Sequence, residues 1–402
     1  MKVEDFSDIL PGTKDGRSFV FNPSVAHWKD DLYLCVYRIF SRGFLTPRES
    51  DKTKDINHPW FEKAVWDFNY GNRFGRDEPG IALLKIVGTK ISLVADLSEK
   101  VSEEEFNFFT IPTFADPRIL HYEKNLFVVS SNVNREDNSV RIRAGFLEFI
   151  RTERGTYRLF MHEASDLCTE ISTQKTEKNW SFWKRNDGEL FFSYHISPSH
   201  EIVPVKIDVN RKTFKCLPNK ILDGNIYFGL LEKCYNSNFD QKFLFISLST
   251  PAISRRDKIN RHIGVGHLKF YWKKHSDLLK DSPLAVFYKK YLNKYRHHPS
   301  FDYFMFIYEF DSSTFELTNI SDFFIPKPST SNDVLLSFPS GIEYDGNDNL
   351  MIFYGDGDTF CKMLYIKDSH EVLENMLRFP IVENHINACS LLPGPGFYLL
   401  EH

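Results

Sequence analysis

The 402-residue sequence lacks several features that would assign it to a class at once. Its six cysteines form no Cys-x-x-Cys pair, and several stand within apolar stretches, so we expect buried free thiols in a reducing compartment. No apolar run approaches the roughly 18 residues of a membrane span, and the first residues lack an apolar signal core. A net charge of −4 argues against a chain built mainly to hold nucleic acid. We expect a soluble, cytoplasmic protein that binds no nucleic acid and has no membrane span.

Aromatic residues are abundant where methionine is scarce, with 38 Phe against 6 Met. Aromatic and β-branched side chains suit the pleated surface of a sheet. A hydrophobic share of 42% is enough for a large core. This composition favours an all-β protein.

Segments of one layout recur along the chain, each with polar or proline-bearing residues, a short strand, a polar turn and a second apolar strand. Turns such as those at 29–31, 123–125, 185–188 and 345–348 are rich in Asn, Asp and Gly, which tolerate the positive φ of tight hairpins. A repeated hairpin with functional groups at its mouth is typical of a β-propeller. The alternatives are a two-sheet sandwich or two smaller β domains. The predicted blades begin near 21, 114, 178 and 338, and the block 242–250 with 301–311 supplies a fifth.

We therefore predict a single five-bladed β-propeller domain over residues 1–402, with two insertions. Residues 41–80 form a predicted aromatic loop insertion, because long loops in compact domains are usually functional or disordered and this one is too aromatic for disorder. Residues 266–299 form a predicted helical insertion, in which Ser282 and Pro283 are a plausible helix start. We expect the apolar stripe of that helix to pack on the propeller; the alternatives are an oligomer contact or an acceptor-binding wall. The stripe comprises Leu284, Phe287, Tyr288, Tyr291 and Leu292, and the basic residues beside it are Lys289, Lys290, Lys294 and Arg296.

Chemically active residue types stand at the predicted blade mouths. Asp116, in the triplet Asp116-Pro117-Arg118, supplies a carboxylate, which we predict to be the catalytic group. Arginine binds phosphate or carboxylate oxygens in pairs, and lysine binds phosphate as a point charge. The predicted phosphate-binding residues are Arg38, Arg118, Lys178, Arg76 and His195, with Arg73 and His200 nearby; the predicted substrate-binding residues are Asn22, Asn179, Trp180, Tyr354, Asp356 and Asp358, with Trp183 as a further aromatic.

One carboxylic acid within a ring of cations suits inverting glycosyl chemistry. An inverting hydrolase needs a second carboxylate to activate water. A phosphate nucleophile needs only a cationic clamp, and the reverse reaction makes glycosides from an activated sugar. Each residue also has a plainer interpretation: a turn cap for Asp116, a surface ion pair for Arg38, a solvated turn for Lys178 and Asn179 with Trp180 in the core, a satisfied strand histidine for His195, and turn residues or a cation site for Asp356 and Asp358.

The motifs occur in the order seen in the five-bladed β-mannoside phosphorylases and hydrolases, and the chain also resembles the related β-1,2-mannosyltransferases. The resemblance spans about residues 17–365 as short islands. It implies that Asp116 is the general acid/base and that Arg38, Arg118 and Lys178 contribute to the anion site. The matching islands are Asn22-Pro23 with Tyr37-Arg38, Asp116-Pro117-Arg118, Lys178-Asn179-Trp180, Phe338-Pro339-Ser340-Gly341 and Tyr354-Gly355-Asp356-Gly357-Asp358-Thr359.

The chain departs from that family at two positions. Ala115 stands where the phosphorylases usually carry Glu, and Ile196 follows His195 where they usually carry an arginine that helps to hold phosphate. These departures favour synthesis from a sugar phosphate or nucleotide sugar donor and a glycan acceptor. We expect no cofactor and no metal, because Asp356 and Asp358 have Asp-x-Asp spacing in a hairpin and not in a Rossmann-like setting. The alternatives are a glycoside hydrolase, a non-catalytic glycan-binding propeller and a protein scaffold; the sugar, the linkage and the oligomeric state stay open.

Overall fold

The computed structural model describes the chain in segments. The described residues are 1–12, 18–41, 76–97, 114–122, 125–134, 139–151, 157–161, 165–166, 178–208, 210, 213–217, 221–222, 227–236, 244–270, 283–291, 301–328, 335–358, 360–381 and 396–400.

Strands dominate the described segments, and helices are short. The strands in chain order are β1 (Lys2–Asp5), β2 (Ser18–Lys29), β3 (Leu32–Ser41), β4 (Arg76–Val87), β5 (Lys90–Asp96), β6 (Phe114–Tyr122), β7 (Asn125–Asn134), β8 (Ser139–Arg151), β9 (Tyr157–Met161), β10 (Ser165–Asp166), β11 (Ser181–Lys184), β12 (Leu190–His195), β13 (Glu201–Asp208), β14 (Thr213–Cys216), β15 (Ile221–Leu222), β16 (Leu244–Leu248), β17 (Ile253–Ser254), β18 (Arg261–Phe270), β19 (Asp302–Asp311), β20 (Leu317–Ile320), β21 (Phe323–Pro326), β22 (Ser337–Tyr344), β23 (Leu350–Asp356), β24 (Phe360–Ile366), β25 (Phe379–Pro380) and β26 (Phe397–Leu400). The helices are a 3-10 turn at Ser7–Ile9 and α-helices at Tyr227–Asn236, Pro283–Tyr291 and Ser369–Met376.

These strands form five sheets in chain order. Sheet one is β2-β3-β4-β5, and sheet two is β6-β7-β8-β10 with β9 on β8. Sheet three is β11-β12-β13-β14 with β15 on β13, and sheet four is β16-β18-β19-β20-β25 with β17, β21 and β26 added. Sheet five is β22-β23-β24-β1, so a strand from the beginning of the chain completes the last sheet.

Each sheet packs on the next, and sheet five packs on sheet one, so the contacts close a ring. A separate apolar cluster fills each of the five junctions. Burying one large apolar side chain in such a junction stabilises the fold by about 1.5–3 kcal/mol. Examples from the junctions, starting between sheets one and two, are Val36 with Val128, Phe127 with Phe182, Trp183 with Phe310, Val265 with Ile352, and Cys35 with Phe353.

The predicted all-β propeller is confirmed by this ring of sheets. The first strands of the sheets are β2, β6, β11, β16 and β22, which lie where the sequence places blade starts. Hairpin turns explain the agreement, because Asp30, Gly188 and Asp348 adopt the positive φ that the turn sequences predict.

The predicted boundaries of both insertions overlap strands. Ser41 ends β3, and residues 76–80 open β4 and pair with residues 37–41, so only residues 42–75 of the predicted loop lie outside the described residues. The polar run Arg76-Asp77-Glu78 hides this strand from a search for apolar stretches. Residues 266–270 likewise belong to β18, where they pair with both β16 and β19.

The predicted helix begins at Pro283 and ends at Tyr291. The packing interpretation is confirmed, because the described residues of the apolar stripe are buried in the cluster between sheets three and four. Lys289 and Lys290 are exposed, while Leu292, Lys294 and Arg296 lie outside the described residues.

The cysteines differ in part from the prediction. Cys35 and Cys361 are buried free thiols, as expected, and burial raises the pKa of both. Cys216 is disulfide-bonded, which corrects the expectation of a free thiol at this position. None of the described helices has the length and apolar character needed to cross a membrane.

Candidate active site

A left-handed residue lies within the first strand of sheet one, within the first strand of sheet two and just before the first strand of sheet three. Asn22, Asp116 and Asn179 have φ values of 53°, 50° and 62°. Asn and Asp tolerate this conformation better than other non-glycine residues. The ladder register shifts across Asn22 and across Asp116, as in β-bulges that re-aim side chains next to active sites. Backbone strain of this kind clusters at functional sites.

The bulges bring Asp116 into contact with sheet one. Asn22 Nδ2 donates a hydrogen bond of 2.8 Å to Asp116 Oδ1, and Arg38 Nη1 lies 3.1 Å from the same oxygen. The Arg38 side chain is 9% exposed and the Asp116 side chain 18% exposed. Asp116 is therefore held from one side and still reaches solvent.

Gly355 in β23 makes room for Asn22. A Cβ atom at Gly355 would lie 2.1 Å from Asn22 Oδ1 and 3.0 Å from the Asn22 backbone nitrogen. This close approach requires glycine, because real Cβ atoms do not come within such distances. Sheet five thus positions the amide that holds the Asp116 carboxylate.

Arg118 fastens the Asp116 bulge to sheet four. Its Nη1 donates to the carbonyl oxygens of Asp116 at 2.8 Å and Pro117 at 3.0 Å, and its Nε donates to the carbonyl of Ser249. Its guanidinium carbon also lies 5.2 Å from the centre of the Phe338 ring. Burial lowers the pKa of Arg118 to about 10, so the group is a cation at neutral pH.

The charges around Asp116 keep its carboxyl ionised. Burial by itself raises the pKa of Asp116, but the positive charges of Arg38, Arg118 and Lys178 and the hydrogen bond from Asn22 outweigh burial and lower the pKa below its usual value. In the unliganded protein at neutral pH, Asp116 is therefore a base and not a proton donor.

Two residues of the site were missed by the sequence analysis. Lys269 in β18 and its ladder partner Tyr303 in β19 face the same region, with Lys269 Nζ 5.5 Å from the centre of the Tyr303 ring. Lys269 and Asp116 interact electrostatically, as do Tyr303 and Asp116. A signal existed, because His267 and Lys269 are polar residues at a period of two within an apolar strand. Their assignment to the helical insertion concealed it.

A small recess of about 10 Å³, enough for about one water molecule, opens beside Asp116 between sheets two and three. Its polar lining consists of Asp116, Arg118, Ser130, Ser131 and Asn179, and Trp180 closes it. The indole nitrogen of Trp180 is buried with no hydrogen-bond partner among the described residues. The recess therefore offers both donors and acceptors to a small polar group.

The predicted aromatic sugar contacts lie in the core instead. Trp180 stacks on Phe192 with ring centres 4.5 Å apart, and Trp183 stacks on Phe191 at 4.6 Å. Trp180 is 2% exposed, Trp183 1% and Tyr354 1%, so their ring faces are covered. This corrects the expectation for Tyr354 and Trp183 and limits Trp180 to its edge. The physical reason is that both faces of each sheet are packed.

Asp356 and Asp358, both predicted to contact the substrate, lie in different surroundings. Asp356 is 2% exposed and forms a buried ion pair with Lys362, which corrects its assignment as a substrate contact. Asp358 is half-buried in the following turn with a φ of 51°, and its charge acts on Tyr303. Asp358 therefore stays at the edge of the site.

The remaining predicted residues differ in position. Lys178 is exposed just before β11, and its charge acts on Asp116. His195 is half-buried at the end of β12 beside Tyr194. His200 is fully buried, bonded through Nε2 to Ser193 Oγ at 2.7 Å, and burial lowers its pKa to about 3. Arg76 opens β4, while its side chain and the whole of Arg73 lie outside the described residues. The described residues hold no cluster of three or more His, Cys, Asp or Glu suited to a metal ion.

No protein-family model matches the sequence, and no curated protein sequence matches it significantly. Solved propeller structures resemble the fold over most of their length at low identity. A glycosyl hydrolase from Bacteroides ovatus matches at 11% identity with a TM-score of 0.49, covering 88% of this chain and 85% of that one. A β-1,2-mannobiose phosphorylase from Listeria innocua matches at 11% identity with a TM-score of 0.46, covering 94% of this chain and 99% of that one. A GDP-Man-dependent mannosyltransferase from Leishmania mexicana matches at 10% identity with a TM-score of 0.43, covering 91% of this chain and 90% of that one. At these TM-scores the propeller assignment rests on the sheet order and the closed ring of contacts.

Proposed function

We propose that the protein is an inverting carbohydrate-active enzyme that transfers a glycosyl group, most simply a mannosyl group, between a phosphorylated sugar and a glycan acceptor. The observation that carries this proposal is that, within the described part of the chain, three cations act on one ionised carboxylate, that of Asp116. Arg38, Arg118 and Lys178 all act on its charge. The choice of mannose comes from the motif resemblance.

Asp116 acts as the general base in the synthetic direction. Its carboxylate takes the proton of the acceptor hydroxyl while that oxygen bonds to the anomeric carbon from the face opposite the leaving group. The bond from the anomeric carbon to the phosphate oxygen breaks, and its electron pair leaves on the phosphate. Neighbouring cations stabilise the charge that develops there, which is the most effective place for fixed charges in such a reaction. The lowered pKa of Asp116 supports this direction.

The reverse reaction needs a protonated Asp116. A bound phosphate would neutralise the cations that lower the pKa of Asp116, so phosphorolysis is compatible with the same site. Hydrolysis needs a second carboxylate to activate water. Asp356 is committed to Lys362, which leaves Asp358 as the candidate among the described residues. Three cations act on Asp116, which suits a phosphate group better than a water nucleophile, and this supports transfer or phosphorolysis over hydrolysis.

A donor screen tests the proposal. The protein is incubated with mannose 1-phosphate, GDP-mannose or mannose, with and without manno-oligosaccharide acceptors, and products are separated by chromatography. We expect a β-mannoside from at least one phosphorylated donor, also in excess EDTA. Acceptor binding without turnover of any donor would identify a glycan-binding propeller. Transfer that EDTA abolishes and Mn²⁺ or Mg²⁺ restores would show that a metal ion, and not the cation cluster, holds the leaving phosphate.

A further inference from the structure

A second group of cations faces Asp116 from the next sheets of the ring. Arg38 belongs to sheet one and Arg118 to sheet two, whereas Lys178 precedes sheet three and Lys269 lies in sheet four. The two lysines interact with each other and with Asp116. Nothing in the motif resemblance assigns a role to Lys269.

Aromatic rings connect the two groups of cations. Arg118 lies 5.2 Å from the centre of the Phe338 ring, and the Phe338 and Tyr303 ring centres are 6.2 Å apart. Lys269 Nζ is 5.5 Å from the centre of the Tyr303 ring. Phe338 and Tyr303 therefore form an aromatic wall, with a guanidinium group near the first ring and an ammonium group near the second.

The charge of Lys269 is poorly compensated. No hydrogen bond joins its ammonium group to any of the described residues. Burial lowers its pKa to about 8, the charge of Lys178 lowers it further, and Asp116 only partly offsets these effects. Among the described residues, two neutral groups lie near it: the phenol of Tyr303, whose pKa burial raises, and the imidazole of His267 on the same strand, whose pKa burial lowers. The carboxylate of Asp358 acts on Tyr303 from the turn after β23. Two adjacent lysines in such surroundings are stabilised by a bound anion.

We propose that Lys178 and Lys269 form a second anion subsite, which takes a phosphoryl group beside the one held near Arg38 and Arg118. The ligand class is a diphosphate ester, in which one phosphoryl group lies near each ring of the Phe338 and Tyr303 wall. This inference rests on the proposed function, because it specifies the donor of the same site. The lysines bind phosphoryl oxygens and Asp116 keeps its role as the base.

The first experiment measures anion binding without turnover. Calorimetry with inorganic pyrophosphate and with inorganic phosphate compares the wild type with Lys269→Gln, Lys269→Arg and the control Lys206→Gln, which changes an exposed lysine on β13. We expect Lys269→Gln to bind pyrophosphate about tenfold more weakly, the effect of about 1.4 kcal/mol, with a smaller loss for phosphate. Lys206→Gln should match the wild type. Equal losses for both anions, or no loss, would overturn the second subsite.

The second experiment uses pH, with Lys269→Arg as the reference that stays charged. Lys269 is protonated below about pH 8 and loses its charge above it. Between pH 7 and pH 9, pyrophosphate binding to the wild type should fall by up to about tenfold relative to Lys269→Arg. This ratio cancels the titration of pyrophosphate itself. A constant ratio across this range would overturn the role of Lys269, and thermal melts of each variant verify that it is folded.

Different results would reject the proposed enzyme function and the proposed second anion subsite. Pyrophosphate binding that depends on Lys269, with no turnover of any donor, would keep the subsite and reject the enzyme. Turnover that depends on Asp116 but is insensitive to Lys269 with a nucleotide sugar would keep the enzyme and reject the subsite.

Discussion

Two buried arginines of this propeller lie in opposite electrostatic surroundings. Arg255 is bound by three carboxylates, those of Asp257, Glu309 at 2.8 Å and Glu374 at 2.9 Å. Burial lowers the pKa of Arg255, but the hydrogen bonds to Asp257 and Glu309 outweigh it and raise the pKa. Arg118 instead donates to backbone carbonyls.

The difference separates a structural ion network from a binding site. At Arg255 the charges of the protein neutralise each other, so the network needs no ligand. Around Asp116, the charged groups of the described residues are mostly positive, because Arg38, Arg118, Lys178 and Lys269 all interact with that one carboxylate. A group of like charges near a strained backbone is a reason to expect a charged ligand.

The largest expected effect comes from removing the Asp116 carboxylate, which contacts Arg38. Asp116→Asn should lower turnover by about 10² to 10⁴, because general acid–base catalysis contributes that much. Steady-state rates with the donor found in the screen provide the measurement. Asp187→Asn, at an exposed hairpin carboxylate, is the matched control and should retain its rate. Unchanged turnover in Asp116→Asn would reject the catalytic assignment.

Disrupting the Arg255 network should lower the stability of the protein and leave its binding of pyrophosphate unchanged. Arg255→Met removes the buried arginine that pairs with the buried Glu309 at 2.8 Å, and breaking a buried ion pair costs about 3–5 kcal/mol. Its neighbour Arg256 pairs with Asp348 at the surface, so Arg256→Met should cost about 0–1 kcal/mol. Urea unfolding measures both. The comparison fails if Arg255→Met unfolds like the wild type or if it weakens pyrophosphate binding while remaining folded.

Removing the charge of Lys269 should stabilise the protein slightly. The pKa of Lys269 is lowered to about 8, so the folded state binds the Lys269 proton less tightly than the unfolded chain does. Stability therefore rises with pH between about 8 and the unfolded pKa of about 10.4. At pH 7, Lys269→Met should raise the melting temperature by about 1 °C to 2 °C, corresponding to about 1 kcal/mol. A lower melting temperature would show that the lysine is structural.

The smallest expected effect is a loss of stability at acidic pH when Asp116 becomes protonated. Because the folded pKa of Asp116 is lowered, its charge contributes stability above the unfolded pKa of about 3.9, and this contribution is lost as pH falls through the folded pKa. The stability difference between wild type and Asp116→Asn should therefore be full at pH 6 and vanish at strongly acidic pH. Thermal melts across that range measure it, and a difference independent of pH would contradict the electrostatic account.

Much of the fold could be predicted because its signals are local. Hairpin turns and the bulge dipeptides Asn22-Pro23 and Asp116-Pro117 mark the blades within a few residues of chain. The approach of Arg38 to Asp116 could also be predicted, because both residues stand at the mouths of predicted blades and a propeller brings these mouths together.

The rest depends on information that is not local. Trp180, Trp183 and Tyr354 were taken for exposed aromatics, but propeller sheets are packed on both faces, so alternation does not separate core from site. The approach of Lys269 to Lys178 depends on the ring bringing sheet four next to sheet three. Asp356 and Lys362 are diagonal neighbours across the β23–β24 hairpin, a pairing visible only once the register is known.

Closure of the ring by β1 also sets an order of events during synthesis. Lys2 pairs with Tyr365, so β1 has no ladder partner until the ribosome has added more than 360 residues. At about 5–20 residues per second, that strand waits roughly 20 to 70 s. An unpaired strand edge is a template for wrong pairing during this interval. The junction between sheets five and one can form only after β24 has been made, so sheet five reaches Asn22 late in synthesis.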